Sequence, residues 1–255
     1  MFKSLFNASL KIRSLLPDVA SQCAVCHGWP ARQVCDSCVA RFSPMRTRCT
    51  ACALALPADL TMGERRHPGV CAECLVQPPP VNATLVAVDY AYPWSELLTR
   101  YKFGNRPGWA AFFAALLLEA TAVRSAFAAL RPGDFILAMP LSAQRLQSRG
   151  FNQAWELASA LASQSGSQGD AAPDMLLRVK HTQPQTELRR EARLANVKGV
   201  FQLDPLRAPA VAGRQVILVD DVMTSGASLF TAASVLRAAG AVHVAAVAIA
   251  RTAAP

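Results

Sequence analysis

The chain has 255 residues, 52% of them apolar and only 17% charged, with a formal net charge of +9. This is the composition of a soluble globular protein, long enough for one larger domain beside a small one, and no run approaches the ~20 apolar residues of a transmembrane helix. The positive balance suits anionic partners such as a phosphosugar, nucleic acid or a membrane surface, although a solvated arginine-rich face gives the same charge.

Residues 1–21 form an N-terminal segment. From Met1 to Asp18, Phe2, Leu5, Phe6, Ile12, Leu15 and Leu16 alternate with Lys3, Lys11 and Arg13. That spacing predicts an amphipathic helix, packed on its own protein or, as the lesser reading, in peripheral contact with a membrane. The continuous apolar stretch of a secretory signal is missing, so a cytoplasmic protein is expected.

All eight cysteines lie between Cys23 and Cys74, as the pairs Cys23/Cys26, Cys35/Cys38, Cys49/Cys52 and Cys71/Cys74. A disulfide framework has no need of this pairing. Tetrahedral zinc does, because one tight knuckle supplies two thiolates and two knuckles close a site. Two four-cysteine sites use every cysteine and leave no open coordination position, which makes them structural. Sequential pairing, first with second and third with fourth, is expected over a cross-brace, with His27 as a bystander. Residues 22–76 therefore read as a double zinc ribbon folded largely by metal. Residues 77–83, opening with Gln77-Pro78-Pro79-Pro80, read as a stiff linker.

The second domain spans 84–255. Thr84 to Ala91 predicts a strand, and Pro93 to Lys102 a short helix with Trp94, Leu97, Leu98 and Tyr101 on one face. A polar loop from Lys102 to Arg106 leads to one long helix from Trp109 to Ala129, ended by Pro132-Gly133. Phe135 to Met139 is a buried strand. Pro140-Leu141-Ser142 leaves its carboxyl end and runs into Arg145 and Arg149, which a helical turn would place on one face. A helix from Ala154 to Ser163 follows, then a flexible loop over 165–172 and a short strand from Leu176 to Val179. Residues 181–198 carry Gln183, Gln185, Arg189, Arg190, Arg193 and Asn196 with little apolar periodicity, which suits a mobile lid. Strands from Val216 to Asp220 and from Val242 to Ile249 complete an open parallel α/β sheet.

The most informative stretch is Val216 to Leu229. An apolar run ends in Asp220 and Asp221, then Thr224-Ser225-Gly226-Ala227-Ser228 opens a helix that closes at Gly240. Ligands of open α/β sheets sit beyond the carboxyl ends of the strands. Small residues let backbone N–H groups approach a phosphate, and the helix adds the positive end of its dipole. Carboxylates repel phosphate, so the acids suit vicinal hydroxyls or a metal, and a ribose 5-phosphate has both ends. A lone N-cap would explain one hydroxyl, not three hydroxyls beside two acids.

This stretch resembles the signature of type I phosphoribosyltransferases for 5-phosphoribosyl 1-pyrophosphate (PRPP). Together with the cysteine knuckles, Pro140-Leu141-Ser142, Arg149-Gly150-Phe151-Asn152-Gln153 and the Gln185–Asn196 segment, it resembles the ComF family, the ComFC and GntX-like proteins. The resemblance runs from about Cys23 to Arg251, with Ser225 and Ser228 where the family usually has threonine. It implies an open parallel sheet of type I phosphoribosyltransferase type behind a double zinc ribbon. It further implies a 5-phosphate cradle at Thr224, Ser225, Gly226, Ala227 and Ser228, with ribose acids at Asp220 and Asp221. Pyrophosphate would lie at Leu141, Ser142, Arg145 and Arg149. Arg193 is the expected lid arginine, with Arg189 and Arg190 competing, and Lys102 is a weaker candidate. The implied chemistry is Mg2+-dependent displacement of pyrophosphate from PRPP by an unidentified acceptor, catalysed by Asp220, Asp221 and Arg193. The competing reading is a non-catalytic phosphosugar sensor or a module for single-stranded DNA, partnering a ComFA-type helicase in natural transformation.

Overall fold

A computed structural model describes residues 21–57, 69–104, 108–179 and 199–253. They fall into two compact units, one ending at Phe42 and one beginning at Ser43. The predicted helix over residues 1–18 and the lid over 181–198, Arg193 included, lie outside the described residues.

In the first unit, an isolated bridge between Ser21 and Ala31 closes a knuckle, and helix α1 (Asp36–Phe42) follows with Cys38 buried. The second unit opens with another knuckle, closed by a bridge between Arg48 and Ala55, and helix α2 (Ala72–Val76). Strand β1 (Ala83–Asp89) precedes helices α3 (Trp94–Phe103), α4 (Trp109–Glu119) and α5 (Thr121–Ala128). Strand β2 (Phe135–Ala138), helices α6 (Ala143–Arg149) and α7 (Gln153–Ser165), and strands β3 (Asp170–Ala171), β4 (Leu176–Arg178) and β5 (Phe201–Leu203) come next. Strand β6 (Gln215–Met223), helix α8 (Ala227–Ala238) and strand β7 (His243–Arg251) end the chain.

The main sheet is parallel in the order β1-β7-β6-β2-β3. Its central strands read as unbroken apolar runs because both faces are covered, and eight of the nine residues of β7 are buried. The steps β6 to β7 and β2 to β3 run in opposite directions across the sheet. Right-handed crossovers therefore send α8 to one face and α6–α7 to the other. The strand order reverses between β2 and β6, and the crevice beyond their carboxyl ends is the switch point where such sheets bind ligands.

Three expectations change. The helix predicted over Trp109–Ala129 is two helices bent by 99°. Ala120 is extended (φ −73, ψ 120), and the Arg124 guanidinium donates to the carbonyls of Leu118 and Glu119, which frees α4 from continuing. No proline or glycine marks that break, so periodicity alone runs through it. The strand at Leu176 pairs antiparallel with β5 in a separate two-stranded sheet rather than joining the main one. Finally, β6 does not stop at the acids but continues to Met223, held on one side by β7.

The compact units divide at a different place from the sequence modules. Thr84 N–H donates to Thr50 O (2.8 Å) and Thr84 Oγ1 to Ala51 O (2.6 Å), so the second knuckle rests on β1. Arg46 and Arg48 both pair with Asp89, at 3.0 and 2.8 Å. The proline segment is tied down too: Arg237 Nε donates to Pro80 O (3.4 Å), and Asn82 Oδ1 accepts Val244 N–H (2.8 Å). Among the described residues, no single helix is long and apolar enough to cross a membrane.

Candidate functional site

The last β2 residue, Ala138, faces Val219, so β6 loses its neighbour on that side where the acids begin. Strand geometry sends successive side chains to opposite faces. Alternation leaves Asp220 partly exposed and Asp221 buried, yet at the strand end their carboxyls stay close enough to interact with each other and with Lys102. Lys102, near the end of α3, places Nζ 3.3 Å from Asp221 Oδ2, an ionic contact. That buried oxygen has no partner with hydrogen-bond geometry. Asp220 accepts the N–H of Asp221 (2.8 Å).

Dense surroundings and then the charge of Asp221 push the Asp220 pKa up to about 7, against the pull of the Asp221 N–H and Lys102. In the unfolded chain the same carboxyl titrates near 3.8. Folded protein thus holds the proton more tightly, and this group's contribution to stability falls as pH rises from about 4 to about 7. Asp220→Asn should therefore melt a few degrees above the parent at pH 8 without ligand, and the gap should close by pH 4.5. A melting difference that does not change with pH would contradict this account of the carboxyl.

Gly226 caps α8 with φ +82, and the loop turns there because only glycine adopts that conformation at little cost. The Ser225 hydroxyl accepts Ala227 N–H at 3.4 Å. Across the crevice, buried Ser142 caps α6, accepting Arg145 N–H (3.4 Å), and Leu141 is half-buried beside it. Arg145 and Arg149 lie on one short helix, as expected. The Arg149 guanidinium sits over the Phe103 ring at 5.0 Å; burial lowers its pKa, and the charges of Asp221 and Asp220 oppose that fall. Lys102, Arg149 and the acids are thus gathered at the switch point.

The Arg149–Gln153 motif has a structural half. Gly150 closes α6 with φ +76, and Asn152 caps α7 through Ala154 N–H (3.0 Å) while donating to Met139 O (3.2 Å). Tyr101 donates to Gln153 O at 2.6 Å, joining α3 to α7.

Two cations escape the sequence reading. Arg178, on β4, stacks over Phe201 at 5.6 Å, and burial followed by the charge of Arg145 lowers its pKa while Asp220 raises it. Nothing local distinguishes it from an ordinary strand residue. Arg251 ends β7 and is buried; a lone cation closing an apolar run was the available signal.

The knuckles pair sequentially. Cys23, Cys26, Cys35 and Cys38 form one cluster, and Cys49, Cys52, Cys71 and Cys74 the other, with all sulfurs of a cluster within 4.8 Å of one another. Cys26–Cys35 and Cys52–Cys71 are 3.7 Å apart, close to the ~3.8 Å edge that ~2.3 Å metal–sulfur bonds impose on a tetrahedron. His27 belongs to neither cluster. Backbone N–H groups prepare the thiolates: Val25 and Cys35 donate to Cys23 Sγ (3.4 and 3.3 Å), and Cys71 donates to Cys49 Sγ (3.3 Å). Burial would raise Cys23, but the backbone N–H groups of Cys26, Cys35 and Val25 bring it down to about 6. Burial and the neighbouring sulfurs push Cys38 up to about 12, and burial leads a like rise in Cys74. Four thiolates crowd one another unless a cation sits among them, which is the chemistry of a divalent metal site.

Fold and site together define a phosphoribosyltransferase-type α/β domain joined to two four-cysteine clusters. The phosphoribosyl transferase domain family matches residues 146–255. Over 212 residues the chain is 32% identical to the DNA utilization protein YhgH of Salmonella typhimurium, covering 83% of this chain and 87% of that one. It is 33% identical over 173 residues to competence protein F of Haemophilus influenzae, covering 67% and 73%. The chain belongs to the ComF family and carries a phosphoribosyltransferase-like domain. A solved allosteric regulatory enzyme of purine biosynthesis shares 16% identity at a TM-score of 0.34, covering 59% of this chain and 30% of that one, and adds nothing to the assignment.

Proposed function

We propose that the chain binds PRPP, or a close phosphosugar relative, at the β2/β6 switch point and transfers its phosphoribosyl group to an acceptor. The observation that carries this reading is the convergence of Asp221, Lys102 and Arg149 on an open strand edge directly before a glycine-capped, hydroxyl-rich helix start. In this reading Thr224–Ser228 hold the 5-phosphate, and Asp220 and Asp221 hold the ribose hydroxyls. Leu141 and Ser142 shape the pyrophosphate side, where Arg145 and Arg149 stabilise charge as it develops. Arg193 would close over the site. The C1–oxygen bond breaks with its electrons leaving on pyrophosphate, and the acceptor's lone pair forms the new bond to C1, its proton passing to solvent. Asp220 and Asp221 would hold a magnesium ion, which would supply further charge neutralisation. Zinc would occupy both four-cysteine clusters as a structural ion.

Calorimetry with PRPP and Mg2+ tests the reading. Wild type should bind, and the double variant Asp220→Asn with Asp221→Asn should lose binding at millimolar ligand while keeping its fold, because both acids stand where β6 has lost a neighbour. Equal binding by both proteins, or none by either, would sink the transferase reading.

A second reading is favoured by the net charge of +9 and by relatives whose names refer to DNA utilization and competence. Direct binding of single-stranded DNA, in company with a helicase, should then weaken steeply with salt and show little sequence preference. Salt-independent binding, or none at low salt, removes DNA from the direct partners.

A further inference from the structure

Arg251 ends β7 between Asp89 of β1 and Met223 of β6. Its side chain is buried and reaches in two directions. Nε donates to the carbonyl of Cys52 at 3.0 Å, and Nη1 donates to the carbonyl of Thr224. Nη1 also meets Thr252 O at 2.8 Å and Thr252 Oγ1 at 3.2 Å. One guanidinium thus joins a residue of the second cysteine cluster to the first residue of the loop that precedes α8. Among the described residues, no carboxylate is paired with it.

Two physical consequences follow. A trans peptide points its N–H opposite to its C=O. Holding the Thr224 carbonyl toward Arg251 therefore turns the Ser225 N–H the other way, out of the β7 side. A phosphate cradle works by N–H groups aimed together, so this bond sets the aim of one donor. The second consequence concerns charge. Four thiolates around one divalent ion keep a net negative charge, and a buried cation beside Cys52 is its counter-ion. Without metal, nothing closes the knuckle, and the Cys52 carbonyl that accepts from Arg251 Nε is no longer held in place.

We propose that Arg251 is a positioning residue that aims the 224–228 loop and makes its order depend on metal in the Cys49/Cys52/Cys71/Cys74 cluster. This rests on the reading of that loop as a phosphate cradle. The cluster then acts on phosphosugar binding through a single side chain, although it touches no ligand. Arg251→Lys keeps the charge but has one nitrogen, which cannot donate to both carbonyls in the guanidinium's fork geometry.

The test uses the full zinc-loaded chain as wild type, Arg251→Lys and Arg251→Met. Amide hydrogen exchange is followed over 224–229, with β2 as the internal reference for an intact sheet. Withdrawing zinc from wild type with a chelator should speed exchange of the loop about tenfold more than that of β2. Zinc-loaded Arg251→Met should already exchange at the faster rate, with zinc withdrawal adding less than about twofold, and Arg251→Lys should fall between. Ribose 5-phosphate affinity should drop about tenfold in Arg251→Met at undiminished zinc content. A loop that stays protected after zinc leaves wild type, or stays protected in zinc-loaded Arg251→Met, overturns the proposal. If Arg251→Met exposes β2 as well, Arg251→Lys and the wild-type chelation arm decide. The exchange readout needs no sugar, so failure of wild type to bind ribose 5-phosphate counts against the phosphosugar reading and leaves the coupling to be judged by exchange.

Discussion

Cys71→Ser should cost the protein one metal ion and lower the melting temperature of the whole second unit, whereas Cys23→Ser should lose its metal with only a local effect. Apparent metal-binding free energies of ~10–16 kcal/mol in small zinc modules exceed or match the ~5–15 kcal/mol stability of a typical domain. The outcome then depends on what each cluster is attached to. The first cluster lies in the unit that ends at Phe42. The second is stitched to β1 through Thr84, to Asp89 through Arg46 and Arg48, and to β7 through Arg251. Metal analysis should find about two zinc ions per wild-type chain, one for each cluster, and about one in either variant. Calorimetry should show the main transition displaced only in Cys71→Ser. Protein purified without zinc and with oxidised cysteines would refute the metal reading. Equal melting of the two variants would refute the different roles given to the clusters.

Gly226→Val is expected to be the most damaging single change in the sheet-bearing unit outside the metal ligands. The sequence alone suggested that a side chain here would obstruct phosphate. The geometry supplies an earlier cause: a Cβ would lie 2.5 Å from Met223 Cε and 2.6 Å from Phe230 Cε2, at φ +82. A β-branched residue in the left-handed region costs about 1–2 kcal/mol, and forcing atoms into a packed site about 1–3 kcal/mol more. Together these should lower the melting temperature by roughly 5–15 °C and displace the start of α8, abolishing phosphosugar binding. Gly150→Ala separates the two causes, because Gly150 has φ +76 but open space around its Cβ position. That variant should show only the conformational cost of about 1 kcal/mol. A Gly226→Val protein that melts within a degree of wild type would show that the loop yields freely, and the packing argument would fail.

Much of the site was legible because its chemistry is local. The spacing of Cys49, Cys52, Cys71 and Cys74 demands a four-sulfur site, and sequential closure followed. The apolar run into Asp220 and Asp221, then glycine and hydroxyls, demands a strand, a turn and a helix start within a dozen residues. Arg145 and Arg149 required only one helical turn to become neighbours.

Other features depend on contacts between distant residues. The break at Ala120 owes its form to Arg124 reaching back over α4, with no breaker residue to announce it. The two acids look equivalent in sequence, yet β6, kept extended through Met223 by β7, buries Asp221 and leaves Asp220 partly exposed. Arg178 enters the field of Asp220 and Arg145 only when β4 and β5 fold into their own sheet.

By itself the sequence determined the sequential pairing of the cysteine knuckles, the parallel α/β class and the glycine-and-hydroxyl turn that opens α8, because each is encoded by short-range spacing and hydrophobic period. The tertiary structure alone decided that the second cluster shares a unit with the sheet and that Arg251 connects it to the loop. Those contacts join residues 27 and 199 positions apart, and only the sheet's strand order brings their backbones within hydrogen-bonding reach.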